Sequence, residues 1–176
     1  MLKRILFVLM TFLLLYSAAL VGYKVFEPHT DETHTYNLDV LDYDTIKDYT
    51  LNSGQTATHY YFFCDQTDAD CIYVQNTVIY STALETELNL RDLIEYVDLS
   101  QVVQETRIPR LREDWGLTTY PAFLACHLED KKIVVDNTLE WNHEQPISND
   151  NLISWLRLNN LYDGDLIEMP IAQPNN

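Results

Sequence analysis

Three cysteines, Cys64, Cys71 and Cys126, give this 176-residue chain its least ordinary chemistry. Cys64 and Cys71 have six residues between them. A bridge between them is feasible if their α-carbons come within about 7 Å. Three roles stay open for the pair: a structural staple, a slow redox couple, or two thiols with no role. As a staple closing so short a loop it adds about 2.5 kcal/mol in the chain-entropy description. Cys126 lies inside an apolar run and reads as a small buried hydrophobe. The odd number argues against a disulfide scaffold. The cysteines lack ligand spacing and the five histidines are scattered, so neither a metal site nor a cofactor is expected. His127 and His143 read as hydrogen-bonded or exposed rather than as ligands.

Carboxylates crowd the same stretch, at Asp65, Asp68 and Asp70. A carboxylate about 6 Å from a thiolate raises the thiol's pKa by roughly half a unit at water-like dielectric. The same groups favour a helix N-terminus, so capping and solubility also account for them.

These residues need elements to hold them. The spacing predicts a short helix over Asp42 to Tyr49, with Leu41, Ile46 and Tyr49 on one face and Asn52-Ser53-Gly54 ending it. The aromatic run His59 to Phe63 reads as a buried strand. A polar loop then leads into a long helix from about Cys71 to Leu88, its apolar side formed by Val74, Val78, Ile79, Ala83 and Leu84. Leu93 to Val97 reads as the next strand. Ile108-Pro109 is expected to open a second helix, since proline suits a first turn, with Leu111 and Trp115 on one face. Gly116 is expected to close that helix. Ala122 to His127 and Lys132 to Val135 read as a hairpin turning at Glu129-Asp130-Lys131. Trp141 reads as an exposed strand end. A last helix over Asp150 to Leu161, capped by Ser148 or Asp150, points Leu152, Ile153, Leu156 and Leu161 inward. The order β-α-β-α-β-β-α makes a small mixed sheet with helices on both faces.

Ahead of this domain, Ile5 to Gly22 is an uncharged apolar run of 18 residues. As a helix it nearly crosses a hydrocarbon core of about 30 Å. Lys3 and Arg4 precede it and hold the N-terminus in the cytoplasm, which sends the remainder across. Ser17-Ala18-Ala19 offers a peptidase site, but the run outlasts a usual signal-peptide core and continues through Leu20 and Val21. No cysteine follows it, which excludes a lipoprotein anchor there. The expected organisation is residues 1–22 as cytoplasmic N-terminus and transmembrane anchor, 23–37 as juxtamembrane spacer, 38–164 as the folded domain and 165–176 as a C-terminal tail. The chain's net charge of −16 excludes nucleic acid and anionic lipid as electrostatic partners. It reads as solubility, or as affinity for a cationic partner or for wall-associated cations.

Element order and local motifs together resemble the thioredoxin superfamily over roughly Leu41 to Tyr162. Tyr60 to Val78 resembles its strand-loop-helix, with Cys71 at the loop's end. Leu93-Ile94-Glu95-Tyr96-Val97-Asp98 is similar to its second core strand. Trp115-Gly116-Leu117-Thr118-Thr119-Tyr120-Pro121-Ala122 is similar to the loop in which a cis-proline precedes a strand. The resemblance implies an α/β fold, a thioredoxin-like mixed β-sheet flanked by helices, here preceded by one N-terminal transmembrane helix. Redox members carry Cys-x-x-Cys at the start of the first core helix, the first cysteine attacking and the second resolving. Cys71 stands at the second position and Asp68 at the first, so the nucleophile is missing. The strand before the motif carries Tyr60, Tyr61, Phe62 and Phe63, with no buried acid to move protons. Tyr120 is larger than the residue that usually precedes the cis-proline.

The resemblance therefore implies a noncatalytic protein-binding or assembly module, held to the membrane by its N-terminal helix. It would meet a protein or peptide partner outside the membrane through a groove containing Asp68, Tyr120 and Pro121. The alternatives are a thiol–disulfide oxidoreductase using the atypical Cys64/Cys71 pair, and an accessory protein of secretion or bacteriocin transport.

Overall fold

The computed structural model describes residues 40–54 and 57–164. The expected anchor, spacer and C-terminal tail lie outside the described residues. Among the described residues no helix is long and apolar enough to cross a membrane.

Strand β2 (Thr58–Cys64) is the central strand of the sheet. Its residues Tyr61 to Cys64 are fully buried, because both faces of the sheet are covered and side chains alternate between them. Phe62 and Cys64 join one core with Val74, Val78, Ile79, Leu152, Trp155 and Leu156. Tyr61 and Phe63 join the other with Tyr43, Ile46, Leu111 and Trp115. Strand β3 (Glu95–Asp98) pairs with β2 in parallel, Phe62 opposite Tyr96. Strand β4 (Ala122–Glu129) pairs antiparallel on the other side, Phe62 opposite Phe123, with those two rings stacked at 4.6 Å. Strand β5 (Lys132–Glu140) continues antiparallel to β4, with an irregularity between Ala125 and Cys126. Strand β1 (Val40–Asp42) adds itself parallel to β3 at the opposite edge, giving the order β1-β3-β2-β4-β5.

Helices α1 (Tyr43–Asn52) and α4 (Gln104–Trp115) supply the second core, and α2 (Ala69–Thr86) and α5 (Asn149–Leu158) the first. Helix α2 is continuous through Ala69–Tyr73, a π-helical stretch at Val74–Ile79, and Tyr80–Thr86. A single turn, α3 (Leu90–Leu93), precedes β3. Gly116 ends α4 at φ 73°, where its N–H reaches the Arg112 carbonyl, as expected of a C-terminal glycine. The β4–β5 turn places Asp130 and Lys131 at φ 50° and 61°. Ser148 caps α5 in a reciprocal capping box with Asn151.

Several elements differ from the sequence reading. Leu41 belongs to β1 rather than to a helix face, and in α1 Thr50 is buried while Tyr49 is 44% exposed. In α2 the buried stripe passes through Thr82 and Thr86, leaving Leu84 64% exposed. The π stretch widens the turn and rotates the helix beyond it. Leu93 ends α3 instead of opening a strand. Helix α4 begins at Gln104, so Pro109 lies inside it. The carbonyl of Glu105, which Pro109 cannot bond, belongs to an exposed residue and can turn to water. Trp141 is buried, its ring edge-on to Tyr73, rather than an exposed strand end.

Candidate functional site: the junction of β2 and α2

The C-terminal residue of β2 and the first turn of α2 bring Cys64 and Cys71 together as a disulfide with α-carbons 5.6 Å apart. Both are sealed from solvent, at 0% and 1% exposure. The Asp65 backbone N–H donates to the Cys71 sulfur at 3.1 Å, and the Tyr96 hydroxyl to the Cys64 carbonyl at 3.1 Å.

The three carboxylates of this stretch part ways. Asp68 has extended backbone geometry, and its Oδ1 accepts from the N–H groups of Asp70 and Cys71, both at 3.0 Å. It is the N-cap of α2. Asp70 points outward, 3.7 Å from His143. Asp65 turns inward and is buried. Burial alone pushes its carboxyl up, but the Thr67 N–H and hydroxyl and the Arg107 guanidinium outweigh it and hold the group below the usual carboxylate range.

Arg107 is the residue the sequence reading missed. It is buried on the inner face of α4, where its Nη1 donates to Asp65 Oδ2 at 2.6 Å and to the Tyr120 hydroxyl at 2.9 Å. Its Nε and Nη2 donate to the Val102 carbonyl at 3.3 and 3.1 Å. The guanidinium also lies over the Tyr120 ring, 5.4 Å from its centroid. The signal was present in the sequence: Arg107, Leu111 and Trp115 recur every four residues along one helix face.

Tyr120 is thus fastened through its hydroxyl, and the Tyr120–Pro121 bond that follows it is cis. The loop ahead of it is tied down by Glu140, whose Oε2 accepts from Thr118 N–H at 2.7 Å, Thr118 Oγ1 at 2.7 Å and Thr119 N–H at 3.1 Å. The Trp141 N–H donates to the Pro121 carbonyl at 2.9 Å. An open groove runs between Thr118–Thr119 and the segment Glu140 to Glu144. So Cys64, Cys71 and Asp68 gather at the start of α2, and Tyr120 and Pro121 are joined to them through Arg107 and Asp65.

Cys126 is elsewhere. It belongs to the core on the other face of the sheet, where burial, then the charges of Asp136 and Glu95, push its thiol up to about 12. His127 bonds Asp136 at 2.8 Å. His59, buried near the start of β2, bonds Glu95 at 2.9 Å and the Ser53 hydroxyl at 2.6 Å. Among the described residues no group of His, Cys, Asp and Glu is placed to hold a metal ion.

The mixed sheet, its helix-covered faces and the cis-proline facing a cysteine-bearing helix start define a thioredoxin-like fold. No family model and no curated protein matches the sequence. Among solved structures, the chain is similar to thioredoxin f2 of Chlamydomonas reinhardtii at 14% identity, covering 72% of this chain and 100% of that one, with a TM-score of 0.47. It is also similar to a thioredoxin of Trichomonas vaginalis at 11% identity, covering 69% and 93%, with a TM-score of 0.41. A thioredoxin of Plasmodium falciparum matches at 13% identity, covering 70% and 89%, with a TM-score of 0.40.

Proposed function

We propose that this protein is a noncatalytic binding or assembly module, anchored in a membrane by its N-terminal apolar run, whose thioredoxin-like domain meets a protein or peptide partner outside the cytoplasm. The observation that carries the reading is the state of the would-be redox site. Thiol–disulfide exchange needs a thiolate that can reach a foreign sulfur. Here both sulfurs are bridged and buried, and the position where an attacking cysteine would stand holds Asp68, whose carboxylate is spent on the helix N-terminus. The cis-proline loop, by contrast, borders an open groove with its backbone fixed, which suits recognition.

One observation favours the oxidoreductase alternative: the bridge sits at the start of α2, on the same side of the fold as the cis-proline. Insulin reduction, with dithiothreitol as the electron source, separates the two readings. The binding-module reading expects no acceleration over dithiothreitol alone. Turnover that disappears in Cys64→Ala or Cys71→Ala would make the protein an oxidoreductase.

A further inference from the structure

We propose that Ser53, His59 and Glu95 form a proton-dependent latch that fastens the end of α1 to the sheet. The latch closes when the His59 ring carries a proton on both nitrogens and loosens when one is lost. His59 stands near the start of β2 and is 6% exposed, whereas the cis-proline loop meets that strand at its other end, where Ala122 pairs with Phe63. The ring Nδ1 lies 2.9 Å from Glu95 Oε1 on β3, and the ring Nε2 lies 2.6 Å from Ser53 Oγ at the C-terminal end of α1. Ser53 Oγ in turn donates to the Thr50 carbonyl at 2.7 Å.

The supply of protons fixes the state of the ring. Ser53 has one hydroxyl proton and the Thr50 carbonyl can only accept, so that proton belongs to their contact. The Ser53–His59 contact then takes its proton from Nε2. A carboxylate also only accepts, so the Glu95 contact takes its proton from Nδ1. The imidazolium with the Glu95 carboxylate satisfies all three contacts at once. With one proton fewer, two lone pairs face each other at one of the three, and that contact is lost. Serine, histidine and carboxylate in this order also have the arrangement of a nucleophile and its base. Here the serine proton points away from the ring, which leaves no base to take it.

The neighbours hold the ring and set the charges around it. Tyr61 stacks on it at 5.5 Å, and Tyr49 of α1 meets it edge-on at 5.5 Å. A hydrogen bond to Glu95 pushes the Tyr49 hydroxyl up. Strand β4 presents Cys126 opposite His59, with its thiol held protonated by burial and by the charges of Asp136 and Glu95. Arg91 and Asp92 line the open cavity that His59 and Glu95 share. The closed latch binds a proton that the loosened one releases. Its contribution is therefore complete on the acid side and is lost as pH rises through the range in which histidine titrates, about 5 to 8.

The test follows hydrogen exchange of the Ser53 N–H, which donates to the Thr50 carbonyl, in the full 176-residue chain in detergent. Rates are corrected for the pH dependence of the exchange chemistry itself. The opening constant is expected to rise about tenfold between about pH 5.5 and about pH 8, the worth of one charge-assisted hydrogen bond. In Ser53→Ala, a change at an exposed position, and in Glu95→Gln the rise is expected to shrink below about twofold. His127→Gln, at the separate pair with Asp136, is expected to keep the full rise. A flat profile in wild type would overturn the proposal, and so would an undiminished rise in Ser53→Ala. Covalent labelling of Ser53 by a fluorophosphonate would also overturn it, because only a ring nitrogen that accepts can activate the hydroxyl.

Discussion

Asp65 and Arg107 are each nearly sealed from water, and each supplies the other's countercharge. Removing one partner of a buried pair leaves the other charge stranded, at about 3–5 kcal/mol, whereas replacing both with apolar groups is often close to neutral. Arg107→Leu is therefore expected to lower the urea midpoint sharply, and the double variant Asp65→Leu, Arg107→Leu to recover most of the loss. A single-variant loss under about 1 kcal/mol would place the pair with exposed ones. The same pair sets an acid limit. Because the folded carboxyl titrates below its unfolded value of 3.8, its contribution is complete above that pH and is lost as pH falls through the lower folded value. Urea midpoints of wild type and of the double variant, close above about pH 4, should accordingly separate as pH falls below about 4, with wild type losing more. Asp68 makes a different point. Asp68→Cys in a Cys64→Ala background rebuilds the Cys-x-x-Cys spacing at the helix start. If the missing nucleophile is what silences the site, this variant should gain insulin-reducing activity of at least about tenfold over its parent.

Element by element, the features fixed by a local run or by a single residue were the easiest to read. The aromatic run of β2, the glycine stop of α4 and the capping serine of α5 all stand where their chemistry requires. Helix faces were harder, and threonine is the reason. Thr50 and Thr86 return their hydroxyls to the carbonyls of Ile46 and Thr82 on their own helices, both at 2.7 Å. A threonine whose hydroxyl is satisfied on its own helix, and for Thr50 by the Tyr61 hydroxyl as well, can be buried, so counting it as polar shifts the apparent buried stripe to Tyr49 and Leu84. Arg107's place on the buried face was legible from its spacing with Leu111 and Trp115, but its partner was not, because Asp65 lies 42 residues away and nothing local sets it apart from a surface charge. The assignment in α2 can be checked directly. Leu84→Glu should change stability by less than about 0.5 kcal/mol. Ile79→Ala, at a fully buried position, should cost about 2–5 kcal/mol. A large loss from Leu84→Glu would mean that the helix continues without its wide turn.

At the scale of the molecule, the two cores on either side of the sheet carry the fold, and the bridge only fastens the end of β2 to the start of α2. Closing so short a loop contributes about 2.5 kcal/mol, which for a domain of this size corresponds to a fall in Tm of about 10 °C on reduction, with the chain still folded. An unchanged Tm would show that the bridge stabilises nothing. The bridge also ties the fold to its compartment, since such pairs persist where the surroundings are oxidising and stay as thiols in a glutathione-reduced cytoplasm. On the proposed topology, cells denatured in an alkylating agent without reductant, then reduced and given a second, heavier label, should place one light label, on Cys126, and two heavy ones. Cys126 takes its label only after unfolding, because it is buried and its thiol is held protonated. Protease added to spheroplasts should digest the acidic domain. Three light labels together with complete protection from protease would put the domain on the cytoplasmic side, and both the anchor's orientation and the structural bridge would fall with that result.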